Sequence, residues 1–160
     1  MYLYFYETTG EVVLVSGTYK DVLRKQFTSI EDHSKITSIK ANTGVEFSGN
    51  FRYCFCYYYS TADDFTNLTS VDFTNVDTSA IDPANLCAMF YNCKKLESVK
   101  LGKNFVTDRF TDLSAMFSGC TDLKDVDTIN FDTSNVTRMQ GIQCFSNRKN
   151  AVQRRTNKSI

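Results

Sequence analysis

Leu86-Cys87-Ala88-Met89-Phe90-Tyr91-Asn92-Cys93-Lys94-Lys95-Leu96-Glu97-Ser98-Val99-Lys100-Leu101 is followed 27 residues later by Leu113-Ser114-Ala115-Met116-Phe117-Ser118-Gly119-Cys120-Thr121-Asp122-Leu123-Lys124-Asp125-Val126. Seven identities (Leu, Ala, Met, Phe, Cys, Leu, Val) recur in register. Self-similarity at a period of roughly 20–50 residues marks a repeat architecture. Fainter copies flank this pair. Upstream lie Leu68-Thr-Ser-Val71-Asp-Phe73 and Ile36-Thr-Ser-Ile39-Lys-Ala41, and downstream Met139-Gln-Gly141-Ile142 echoes Leu113-Ser-Ala115-Met116.

Each unit changes period halfway. Leu86, Met89, Phe90 and Cys93 fall at i, i+3, i+4 and i+7, which predicts a two-turn helix with one apolar face. Val99 and Leu101 alternate with Ser98 and Lys100, which predicts a half-buried strand. The connectors carry two apolar anchors five apart: Val76 and Ile81, Phe105 and Phe110, Phe131 and Val136. Asp82-Pro83 reads as a helix start, with Asp as N-cap and Pro in the first turn. Helices this short bury their stripe only by stacking, which predicts a solenoid. Residues 1–35 do not repeat. Tyr2–Tyr6 and Val12–Val15 predict a hairpin around Gly10, and Lys20–Ile30 a short helix, together an N-terminal cap.

If the strands stack parallel and in register, one outward column reads Lys40, Asp72, Lys100, Asp127, alternating in sign. The next reads Ser38, Ser70, Ser98, Asp125. Opposite charges facing each other across about 4.8 Å contribute roughly 0.2–1 kcal/mol a pair. The alternation is independent of the apolar positions that align the units, so it supports the alignment.

The chain has 160 residues, 42% of them apolar and 22% charged, which suits one folded domain and excludes a disordered or collagen-like chain. Formal net charge is zero, but five basic residues (Arg148, Lys149, Arg154, Arg155, Lys158) stand in the last 15 positions, all beyond the last acidic residue, Asp132. An acidic body with a basic tail argues against a nucleic-acid-binding core. The tail, 146–160, lacks apolar periodicity and is expected to be disordered. No run of about 18 apolar residues is present, so no membrane-spanning helix is expected. The N-terminus lacks the basic lead and apolar segment of a signal peptide.

No residue set points to catalysis. Cys54-x-Cys56 is too tight for a zinc knuckle and Cys87–Cys93 too wide, so the cysteines are expected as core thiols, with no metal and no cofactor. Cys93 and Cys120 share one inward position, within reach of a disulfide if oxidised. His33 sits in a polar stretch without a nucleophile motif and is expected to be solvated. Asp63-Asp64 and Asp125-x-Asp127 lack the loop a calcium site needs. Phe51-Arg-Tyr-Cys-Phe-Cys-Tyr-Tyr-Tyr59 is the most unusual stretch. Phe55 is expected to take the repeat's inward Phe position, and exposed Tyr57, Tyr58 and Tyr59 would offer a platform for a partner. Candidate binding residues are therefore Asp72, Lys100 and Asp127 on the outward strand face, with Tyr57, Tyr58 and Tyr59.

Phe131-Asp-Thr-Ser-Asn-Val-Thr137, with Ala-Met-Phe-Ser-Gly-Cys120-Thr-Asp-Leu123, resembles the BspA-type leucine-rich repeat family of bacterial surface proteins. The resemblance covers residues 86–142 well and 36–85 loosely. Departures are the connector Asn104–Phe110, Thr128 in place of Leu, and Gln143 in place of Phe. The resemblance implies a right-handed α+β solenoid of short parallel strands and short helices. Its organisation would be a cap over 1–35, repeats of about 27 residues over 36–145, and the tail 146–160. It further implies a non-enzymatic adhesion or protein-binding module, at the cell surface or secreted, with a protein or glycan ligand. A soluble intracellular interaction scaffold, in the cytoplasm, is the alternative.

Overall fold

The computed structural model describes residues 2–21, 27, 30–56, 65–84, 86–127 and 130–142. Eight strands follow one another: β1 (Tyr2–Tyr6), β2 (Glu11–Lys20), β3 (Ser38–Ala41), β4 (Val45–Gly49), β5 (Ser70–Phe73), β6 (Asp77–Ile81), β7 (Ser98–Leu101) and β8 (Asp125–Val126). They form one sheet in the order β6-β4-β2-β3-β5-β7-β8, all parallel, with β1 added antiparallel to β2.

The register follows the hydrophobic pattern. Val12, Ile39, Val71, Val99 and Val126 stand side by side and are buried. Ser38, Ser70, Ser98 and Asp125 make the neighbouring row. A one-residue slip would turn every one of these side chains outward, so burial specifies the pairing. The hairpin at the start is part of the same ladder. β2 pairs with β3 through Glu11–Leu14 and with β4 through Gly17–Lys20, so one long strand opens both columns of the stack.

The expected α+β solenoid, with a short helix in each unit, is corrected by the structure. Among the described residues no α-helix occurs, and the one named helical element is the 3₁₀ turn His33–Lys35. Leu86–Cys93 and Leu113–Cys120 are successive tight turns. Ala88, Asn92 and Ala115 have φ of 56°, 60° and 55°, values an α-helix excludes. Their N–H groups go to the next unit instead of back along the chain. Ala88 N donates to Ser114 O at 2.9 Å, Phe90 N to Met116 O at 2.9 Å and Asn92 N to Ser118 O at 2.8 Å. Leu86, Met89, Phe90 and Cys93 do face inward, but Cys87 and Ala88 are buried as well, which one helical face would not allow. The spacing reported burial, and tight turns satisfied it as well as a helix would. Asp82 likewise accepts from Ala84 N at 3.1 Å, an Asx turn where an N-cap was expected.

β6 lies where only a connector was expected, and β4 where the sequence pattern assigned no element. The anchors Val76, Ile81, Phe105 and Phe110 are buried. Between them sit buried threonines that bind backbone. Thr78 Oγ1 donates to Val106 O at 3.2 Å and accepts from Val106 N at 2.9 Å. Thr107 Oγ1 donates to Asp132 O at 3.1 Å and accepts from Asp132 N at 2.7 Å. Each hydroxyl replaces a ladder bond, so the units stay joined where the strand pattern lapses.

The core holds an aromatic stack that runs from unit to unit. Phe55, Phe90 and Phe117 lie ring over ring, with centroids 5.1 Å apart at 9° for the first pair and 5.4 Å at 3° for the second. All three are fully buried. Cys54, Cys56, Cys87, Cys93 and Cys120 are buried, as small core residues. Cys120 Sγ donates to Phe90 O at 3.0 Å. At one corner Gly102 lies so close to the Thr74 carbonyl that a Cβ would collide with it. The helix expected over Lys20–Ile30 and the tail 146–160 lie largely or wholly outside the described residues.

Candidate functional site: the outward face of the sheet

The outward side chains of one strand column form an ordered surface because the ladder is in register. Lys40, Asp72 and Lys100 are direct cross-strand neighbours on β3, β5 and β7. Asp127 follows β8, its N–H bonded to Val99 O at 3.1 Å, which carries the chain on beside Lys100. Asp72 is half-buried and the other three are exposed. Burial alone would raise the Asp72 carboxyl pKa. Hydrogen bonds from Thr74 and the positive charges of Lys100 and Lys40 outweigh it and hold the pKa below the usual carboxylate value.

A second charged pair extends this surface. Lys124 Nζ lies 2.8 Å from Glu97 Oε2, and that hydrogen bond and charge raise the lysine's pKa. Lys95 Nζ donates to Asn67 Oδ1 at 2.7 Å. Of the predicted binding residues, Asp72, Lys100 and Asp127 are thus brought together on one face. Tyr57, Tyr58 and Tyr59 lie outside the described residues. The remainder of that aromatic stretch packs inward: Phe51, Cys54, Phe55 and Cys56 are buried. Arg52 stays exposed, its guanidinium 5.3 Å from the Tyr53 ring.

Another tyrosine row carries the exposed aromatic surface. Tyr2, Tyr4 and Tyr6 on β1 are 74%, 59% and 49% exposed, the large hydrophobic side chains that stand out in solvent among the described residues. Leu3 and Phe5, between them, pack against the core. Tyr4 pairs with Val13 and Tyr6 with Glu11, so the row abuts the columns that lead to Lys40 and Ser38. The start of β1 is pinned from below. Buried Tyr19 donates its hydroxyl to Tyr2 O at 2.6 Å, and burial pushes that phenol above its ordinary pKa. By its sequence alone, Tyr2–Tyr6 predicts only one arm of a hairpin. The strict Tyr-x-Tyr-x-Tyr alternation was the available signal, since period two puts all three rings on one side.

His33, expected to be solvated, is half-buried between aromatic rings. It stacks on Phe65 at 5.2 Å and 17°, and meets Phe27 edge-on at 6.2 Å. The buried polar side chains among the described residues are Ser48, Thr78 and Thr107, all hydroxyls. Along the sheet, the exposed surface of the described residues is aromatic at one end and of mixed charge along the rest.

Residues 57–157 match a protein-family model described as Mycoplasma protein of unknown function, DUF285. The match takes in residues 86–142, whose motif pointed to the BspA-type family, and DUF285 stands in that family's place. No curated protein and no solved structure matches the chain.

Proposed function

Since the chain belongs to the DUF285 family of Mycoplasma proteins of unknown function, we propose that it is a non-enzymatic binding module that works at the cell surface. Its outward sheet face engages a protein or glycan. The observation that carries this reading is the continuity of exposed Tyr2, Tyr4 and Tyr6 with the Lys40–Asp72–Lys100 row. Tyrosine rings offer large, stiff contact area with a polar tip, and the charges beside them set orientation. The occurrence of the family in Mycoplasma surface proteins supports the location. The resemblance to BspA-type repeats, carried by Phe131–Thr137 and Ala115–Leu123, supports adhesion as the purpose.

Two measurements test it. Antibody raised against the folded chain should label intact cells; labelling that requires permeabilisation overturns the surface location. The purified chain should bind saturably to one member of a panel of extracellular glycoproteins and glycans. Replacing Tyr2, Tyr4 and Tyr6 by Ser, together with Lys100→Glu, should weaken that binding by about tenfold or more, as loss of hot-spot aromatics does. Lys94→Ala, on the turn face, should leave it unchanged. Equal effects from the two variants would remove the sheet face from the reading.

A further inference from the structure

β1 pairs with β2 on one side, and no described strand covers its other edge. A free edge presents a row of unpaired backbone N–H and C=O groups, and natural sheets blunt it with lysine, proline, a very short strand or a bulge. The far end of this sheet follows the rule. β8 is two residues long and is flanked by exposed Lys124 and Asp127. β1 does not. Its five residues carry no charge, no Pro and no Gly. The register shift at Tyr2/Leu3 lies in the pairing with β2: Tyr2 pairs with Ser16 and Leu3 with Leu14, so the extra residue, Val15, is on β2.

The strand also matches itself. Tyr2-Leu3-Tyr4-Phe5-Tyr6 reads the same in both directions by side-chain class, with an aromatic phenol at every second position and an apolar residue between. We propose that two copies of this chain join through β1, edge to edge and antiparallel, about a two-fold axis at Tyr4. Tyr2 then stands opposite Tyr6 of the second copy, Leu3 opposite its Phe5, and Tyr4 opposite its Tyr4. This is the self-complementarity a two-fold interface needs. Charge favours it too. An uncharged strand brings no like charges into opposition, whereas the Lys40–Asp72–Lys100 columns are carried outward, one on each side of the junction. The two sheets become one, and the tyrosine row doubles at its centre.

The area sets the strength. Tyrosines of roughly 200 Å² each, at the observed exposures, offer about 700 Å² over the two copies before the backbone edge is counted. Even that upper limit is at the weak end of specific interfaces, so a weak, concentration-dependent dimer is expected. The inference does not depend on what the outward face binds, and its test measures self-association alone.

Sedimentation of the full chain from about 5 µM to about 500 µM should show a monomer passing to a dimer. Tyr4→Lys sets two ammonium groups against each other at the axis and should weaken the dimer by about tenfold. Tyr4 is solvent-facing, so the circular dichroism of the variant should match the parent. Opposed Cα atoms in an antiparallel pair are about 4.5–5.5 Å apart, within disulfide reach. Tyr4→Cys should therefore cross-link on mild oxidation. Tyr2→Cys alone should not, and Tyr2→Cys with Tyr6→Cys should. A monomer throughout the concentration series overturns the proposal. So does a dimer undiminished in Tyr4→Lys, or equal cross-linking by Tyr2→Cys and Tyr4→Cys.

Discussion

Truncating the rings of the aromatic stack gives the sharpest test of how the units are held together. Phe90 lies between Phe55 and Phe117, within 5.1 Å and 5.4 Å of each and nearly parallel to both. Phe117 has the second of these contacts only, among the described rings. Both side chains are fully buried. Removing a buried phenylalanine costs the transfer free energy of the ring plus a cavity term, about 3–5 kcal/mol together. Each parallel ring pair adds roughly 0.5–1.5 kcal/mol. Phe117→Ala should therefore cost about 4–6 kcal/mol, and Phe90→Ala, with one more ring pair, roughly 0.5–1.5 kcal/mol beyond that. Urea unfolding followed by circular dichroism measures both, and an unchanged slope would show that the unfolded state is the same. A loss under about 1 kcal/mol for Phe117→Ala, the level of a surface change, would mean that the stack does not join the units. A larger loss at Phe117 than at Phe90 would refute the reasoning from ring contacts.

Lys100→Glu puts a third carboxylate between Asp72 and Asp127; it should destabilise the fold by about 1 kcal/mol, and 1 M salt should remove most of the loss. A penalty indifferent to salt would show that the column is not coupled. Asp72 makes the stability pH-dependent. Its pKa is lowered in the folded chain, so its contribution is complete above the unfolded value near 3.9 and disappears as pH falls through the lower folded value. Asp72→Asn should flatten the acid side of the stability curve below about pH 4 and leave its neutral slope unaltered. An identical acid limb in the two proteins would contradict the ion-pair column.

The pattern of inward residues was legible from the chain alone. Val71, Val99 and Val126 align because each unit must bury its strand residues on the same side, and a shift by one would expose them all. The alternation Lys40, Asp72, Lys100 could be read for the same reason. The Tyr2–Tyr6 row carried its signal too, but period two says only that the rings share a side. That the side is solvent, and that no described strand lies beyond β1, follows from where β2 is taken up by β3 and β4. The two buried threonines were invisible for a further reason: Thr78 and Thr107 look like connector residues until their hydroxyls find the backbone of the next unit.

What the chain could not declare by itself is the backbone path through Leu86–Cys93. Apolar residues at i, i+3, i+4 and i+7 require that those side chains reach the core, and both a helix and a pair of tight turns deliver them there. The choice rests on where the N–H groups go. A two-turn helix would keep a few bonds to itself and leave its ends unpaired. The turns instead give Ala88, Phe90 and Asn92 partners at Ser114, Met116 and Ser118, bonds that exist only once the next unit is in place. Which residues are buried is a property of the sequence because water enforces it on every conformation. Which backbone buries them is a property of the stack, because the deciding hydrogen bonds lie between units 26 residues apart.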